Sequence, residues 1–124
     1  MKIEVYNGEI VDKLTIIEIK LENITNEQKL ANLRLEYDVL NMAVSLIIDK
    51  LNPLYIELLS INKKLWVIED RIRELEKLKD FGSEFIDVAR SVYFTNDLRS
   101  DVKRRINELT NSTLIEEKSY EDYS

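Results

Sequence analysis

The sequence predicts an all-α protein, an antiparallel helical bundle of about four helices with a short extended N-terminal arm. Three observations lead there. Leu30, Leu33, Tyr37, Leu40, Val44, Ile47, Leu51, Leu54, Leu58, Ile61, Leu65, Ile68, Ile72 and Leu75 alternate spacings of three and four, the heptad pattern of helices that pack lengthwise. Only two glycines and one proline occur in 124 residues, too few for a turn-rich or disordered chain. Hydrophobic residues make up 44% of the chain, and no shift in composition marks a second unit, so residues 1–124 read as a single helical domain.

Residues 1–7 read as an extended arm, because Lys2 to Tyr6 alternate polar and apolar side chains. A first helix is expected over 8–24. Asn7 would cap it, Gly8 would free the turn, and Glu9 and Asp12 would favour its positive end. Its seam is Ile10, Leu14, Ile17, Leu21 and Ile24; Ile16 and Ile19 widen that face, so the helix must be covered from more than one side.

Thr25 and Gln28 have the spacing of a capping box, which starts a second helix over 26–51. Asn52-Pro53 then offers an N-cap followed by proline at the first helical position, a restart signal for a third helix over 53–79. The heptad phase passes through Pro53 unbroken, however, so one long kinked helix, which would demand a dimer, is the alternative. A tight turn suits a monomeric bundle better, since helices of about 26 residues, about 39 Å long, match one another.

Asp80-Phe81-Gly82-Ser83 supplies a glycine stop and a serine cap for a fourth helix over 83–110. Its apolar stripe shifts phase at Thr95-Asn96-Asp97, between Phe85, Ala89, Val92 and Leu98, Val102, Ile106, Leu109. Either the helix breaks there or polar groups enter the interface. Residues 111–124 form an acidic tail.

Composition excludes several chemistries. The chain has no cysteine and no histidine, which removes thiol nucleophiles, disulfides, histidine general bases and nitrogen- or sulfur-ligated zinc. A net charge of -6 opposes phosphate neutralisation, so no nucleic-acid partner is expected. No run is long and apolar enough for a bilayer, and acidic residues interrupt the N-terminal hydrophobes, so a cytoplasmic protein without a membrane partner or signal peptide is expected. No cofactor and no metal site are expected. The pairs Glu9/Asp12 and Glu84/Asp87 resemble helical magnesium carboxylates only loosely, because both sit near helix starts where acids are favoured anyway.

One place stands out for ligand chemistry. In an antiparallel bundle Asp12 lies twelve residues before the end of the first helix and Asn96 about twelve after the start of the fourth, each roughly 18 Å from the same end. If those helices are neighbours, Asp12 and Lys13 face Asn96, Asp97 and Arg99, either as a ligand-binding cluster or as a polar network that sets helix register. Arg90 and Arg99, nine residues apart, could clamp an anion together only if the helix broke at Asn96.

The segments Gly8-Glu9-Ile10-Val11-Asp12-Lys13-Leu14-Thr15-Ile16-Ile17-Glu18-Ile19-Lys20 and Ala89-Arg90-Ser91-Val92-Tyr93-Phe94-Thr95-Asn96-Asp97, with Glu116-Glu117-Lys118-Ser119-Tyr120, resemble a family of short helical proteins from bacteria and phages known as a domain of unknown function. The resemblance covers nearly the whole chain and brings no catalytic residues with it. The family's occurrence near surface-polysaccharide genes implies sugar chemistry as an expectation. Two functions follow from the sequence as a whole. The first is a non-catalytic assembly module, a homodimer, suggested by the surplus of apolar seam and the unpaired arm. The alternative is an enzyme or binding protein for a small anionic ligand such as a sugar phosphate, using Asp12, Lys13, Asn96, Asp97 and Arg99.

Overall fold

A computed structural model describes residues 1–110 and consists of four helices: α1 (Asn7–Asn23), α2 (Glu27–Ser45), α3 (Pro53–Lys77) and α4 (Ser83–Leu109). Among the described residues there is no strand; Met1 to Tyr6 carry no regular structure and leave Ile3 and Val5 exposed. The expected acidic tail lies outside the described residues.

The all-α bundle expected from the seam is present, but its helices are not arranged as a square. α1 packs against α2, α3 and α4, and α3 packs against α4, whereas the backbone of α2 approaches that of α1 alone. α1 is therefore the central helix, which explains the width of its apolar face: Val11, Leu14, Ile17 and Ile19 are all buried. The main core gathers Val11 and Leu14 from α1, Val44 from α2, Tyr55 and Leu58 from α3, and Val102 and Ile106 from α4. Fully enclosing a leucine such as Leu14 or Leu58 contributes roughly 1.5–3 kcal/mol.

Each helix boundary has a local cause, and several differ from the sequence reading. The chain reverses over residues 46–52, so the long kinked helix does not form. α2 stops at Ser45 instead of 51, and Leu51 is exposed beside a turn in which its N–H donates to Asp49 Oδ1 at 2.7 Å. Asn52 caps α3 through Leu54 N–H at 2.9 Å, with Pro53 at the first helical position as the restart signal implied. The cap of α2 is Asn26, which accepts from Lys29 N–H at 3.0 Å; Thr25 does not fill that role.

The end of α3 is also not a glycine stop. Asp80 N–H bonds to Leu75 C=O at 3.0 Å and Lys79 N–H to Glu76 C=O at 3.1 Å, the paired pattern of a Schellman motif. The left-handed residue that this motif requires is Lys79, with φ 56°. Gly82 instead precedes α4 in an extended conformation, with Ser83 as the first helical residue. Arg71 closes the α3–α4 turn by a fork on Glu84, with Nε at 2.9 Å and Nη2 at 2.7 Å.

α4 does not break at Asn96. It runs 27 residues without interruption, and its inward face continues at spacings of four and three through Val88, Val92, Thr95, Arg99, Val102 and Ile106. Thr95 and Arg99 are the polar members of that stripe. The phase shift in the sequence came from counting Leu98 and Leu109, which are half-exposed. Because the helix is continuous, Arg90 and Arg99 form no joint clamp; Arg90 is exposed and lies 5.9 Å from the centre of the Phe94 ring.

Candidate functional site

The α1–α4 contact is built from a ladder of polar groups that fixes the antiparallel register. At its base Gly8 N–H donates to the buried Asn107 Oδ1 at 2.7 Å, and Asn7 Nδ2 donates to Thr110 Oγ1 at 2.9 Å. The N-terminus of α1 is therefore capped by a side chain from α4, because Tyr6 at its own cap position provides no side-chain bond. Gly8 is inside the helix, with no positive φ among the described glycines. It is needed for approach: a Cβ there would lie 2.4 Å from Lys103 C=O and 3.0 Å from Asn107 Oδ1. One turn on, Lys103 Nζ reaches Glu9 Oε2 at 2.7 Å.

At the next level sits Asp12, 1% exposed. Arg99 from α4 meets it with two N–H groups, Nε to Oδ1 at 3.0 Å and Nη2 to Oδ2. Asn62 of α3 donates to Asp12 Oδ1 at 2.8 Å and to Thr15 Oγ1 at 2.7 Å, and Thr15 in turn donates to Asp12 C=O at 2.7 Å. Three helices thus converge on one buried carboxylate. Hydrogen bonding to Asp12 raises the Arg99 guanidinium above its ordinary range, against the opposing effect of burial. Each oxygen of the Asp12 carboxylate accepts at least one of these bonds, and together they tie α1, α3 and α4 in register.

A cleft of about 200 Å³ opens beside the network. Ile16, Ile19 and Leu65 form its apolar wall, and Lys20, Asn62, Trp66, Glu69 and Arg99 supply the rest. Of the candidate ligand residues named from the sequence, Asp12 and Arg99 are brought together and Arg99 lines the cleft. Lys13 is exposed on α1, and Asn96 and Asp97 are half-buried on α4; none of these three lines it. Asp97 Oδ2 is enclosed without a hydrogen-bond partner. Sequence reasoning missed Asn62, Thr15, Lys20 and Trp66. The available signal for Asn62 was an amide at the spacing of the buried stripe Tyr55, Leu58, Leu65.

A second polar group lies at the other edge of α1. Tyr55 donates its hydroxyl to Glu18, Lys50 Nζ lies 3.0 Å from Glu18 Oε1, and Lys50 also donates to Tyr37 at 2.8 Å. Burial, and then hydrogen bonding to Glu18, push the Tyr55 hydroxyl far above its usual range. For Lys50 burial acts downward, but Tyr37 and Glu18 together outweigh it and the net shift is upward.

Among the described residues no group of three or more acidic side chains gathers to hold a metal, and no helix is long and apolar enough to cross a membrane. Three of the four residues in the two acidic pairs meet basic partners: Glu9 with Lys103, Asp12 with Arg99, and Glu84 with Arg71.

α2 presents a different feature. Its inner face packs on α1 through Leu30, Leu33 and Val44, while Leu35, Val39 and Met42 on the outer face stand 69–72% exposed and Leu46, the residue that caps its C-terminus, 86%. Their spacings are four, three and four.

Residues 1–123 match a family described as a family of unknown function (DUF6165). No curated protein and no solved structure matches the chain.

Proposed function

We propose that this chain, which belongs to the DUF6165 family of unknown function, works by association: it is a non-catalytic assembly module that pairs with a second copy of itself through α2. The observation that carries this reading is the outer stripe Leu35, Val39, Met42 and Leu46. A helix with a second seam at heptad spacing is suited to a second helix. Four side chains at 69–86% exposure, each of roughly 150–200 Å², offer on the order of 500 Å² of apolar surface, at the upper end for a monomer and near what one partner contributes to a standard interface.

A second copy is the natural occupant because a single stripe is self-complementary about a two-fold axis. Ala31, Ala43 and Ser45 lie beside it, as do the exposed carboxylates Glu36 and Asp38. Exposed apolar residues also line α4, where Ile86, Tyr93, Phe94 and Leu98 stand 41–63% exposed, but the α2 stripe is the more exposed of the two. Without histidine or cysteine the chain has no imidazole general base and no thiol nucleophile, which fits a role without catalysis.

Sedimentation equilibrium tests this directly. The wild-type chain is expected at twice its 14.7 kDa mass at high protein concentration, and Met42→Glu at the monomer mass with unchanged helicity. A monomeric wild type, or a Met42→Glu variant that still pairs, contradicts the reading.

A further inference from the structure

The cleft between α1, α3 and α4 has a composition that the assembly reading does not use. The side chain of Lys20, which lines the cleft, makes no hydrogen bond or ion pair with any described residue; its carbonyl accepts from Ile24 N–H at 2.8 Å. Arg99 offers its guanidinium from the inner side. Two of its five N–H groups bind Asp12, and its side chain remains 29% exposed, so three donors are free to meet a ligand. Asn62 stands beside it. The apolar and aromatic part of the lining is Ile16 and Ile19, on the same helix as Lys20, and Trp66 on α3.

Charge selects among anions. Asp12 compensates Arg99 at hydrogen-bond distance, and Glu69, which lines the cleft and meets Arg73 only at 3.8 Å, also lies close enough to favour the charged Arg99 electrostatically. Lys20 is the lining cation whose side chain has no partner among the described residues, and with Glu69 in the same lining the cleft suits no more than one negative charge. A phosphate dianion would bring a second charge close to Glu69 and Asp12. Water-excluding contact with Ile16, Ile19 and Trp66 favours an apolar body behind that charge, and about 200 Å³ gives room for one ring with a short acidic arm.

We infer that this cleft is a binding site for a small monocarboxylate with a flat apolar body, its carboxylate held between Lys20 and the free N–H groups of Arg99 and its body against Trp66. The carboxylate accepts from the ammonium and the guanidinium, bonds of the charge-assisted kind. Trp66 contributes a ring face or edge of the type that anchors apolar ligands. The site is separate from the outer face of α2, so it holds whether or not the chain pairs.

Trp66 is the sole tryptophan of the chain, which makes the cleft its own reporter. The experiment is a fluorescence titration of the full chain with phenylacetate, with neutral phenylacetamide and inorganic phosphate as companions, repeated in Lys20→Ala and in Met42→Glu. Phenylacetate is expected to change Trp66 emission saturably, with phenylacetamide and phosphate each about ten-fold weaker or more. Lys20→Ala should weaken phenylacetate by about ten-fold while its melting curve stays close to that of the wild type, because the Lys20 side chain bonds to no described residue and its carbonyl bond to Ile24 N–H is kept. Met42→Glu should bind as the wild type does. No saturable change with phenylacetate overturns the proposal, as does equal affinity for phenylacetamide or undiminished affinity in Lys20→Ala. Tighter binding of phosphate than of phenylacetate overturns the monoanion assignment.

Discussion

Removing the Arg99 side chain tests whether the three-helix network holds the fold in register. In Arg99→Ala both guanidinium bonds to Asp12 vanish, and a carboxylate only 1% exposed keeps a single side-chain donor, Asn62, at 2.8 Å. Stranding one member of a buried ion pair costs about 3–5 kcal/mol. Folded domains hold only about 5–15 kcal/mol in total, so this is a large fraction. For a chain of this length it lowers the melting midpoint by roughly 10–20 °C.

The reverse change is milder, because Arg99, with 29% of its side chain exposed, can turn to water once Asp12→Leu removes its partner. Replacing both, Asp12→Leu with Arg99→Met, removes the stranded charge and should return to within about 2 kcal/mol of the wild type. Urea unfolding followed by circular dichroism measures all three and gives the coupling energy of the cycle. A loss below about 1 kcal/mol for Arg99→Ala, or a double variant weaker than either single one, would refute this role.

Other substitutions probe the remaining joints. Gly8→Ala should destabilise by about 2–4 kcal/mol although alanine is the better helix former, because its Cβ would press on Lys103 C=O at 2.4 Å and disturb the Asn107 cap; a gain in urea midpoint would contradict the close-approach argument. Lys79→Gly should stabilise by about 0.5–1 kcal/mol by relieving the left-handed φ of 56°, a shift that thermal unfolding can read. Alkaline stability follows from Tyr55. Its folded-state hydroxyl is raised, so above about pH 10 the unfolded chain releases a proton that the folded chain keeps, and stability falls by up to about 1.4 kcal/mol per pH unit. The difference between wild type and Tyr55→Phe, flat at neutral pH, should slope that way above pH 10; parallel curves would show that Tyr55 titrates alike in both states.

Much of this fold was legible because heptad spacing is a local signal. The seam of α2 and α3, the restart at Asn52-Pro53 and the wide face of α1 all follow from residues within a few turns of one another. The level of Asp12 against α4 was also accessible, since helix rise converts residue counts into distance; the structure sets it against Arg99, three residues and about 4.5 Å beyond Asn96. What escaped depends on tertiary contact. Arg99 and Thr95 occupy seam positions as polar residues, so a count of apolar side chains jumped to Leu98 and registered a false phase change. Gly8 looked like a turn residue because nothing near it in sequence shows that Lys103 passes against it. Lys79 adopts a conformation that its residue type disfavours, and its strain is visible only in the backbone. That the backbone of α2 approaches α1 alone was hidden by its continuous inner seam, which would suit two neighbours as well as one.

The central claim, that copies of this chain meet through the outer face of α2, is tested most directly by cross-linking. The sequence contains no cysteine, so one introduced thiol reports one position. Val39→Cys, 71% exposed in the middle of the stripe, is expected to give a disulfide-linked dimer under mild oxidation, whereas Val67→Cys, 66% exposed on α3, stays monomeric. Equal cross-linking at both positions, or cross-linking at Val67→Cys alone, would contradict the account.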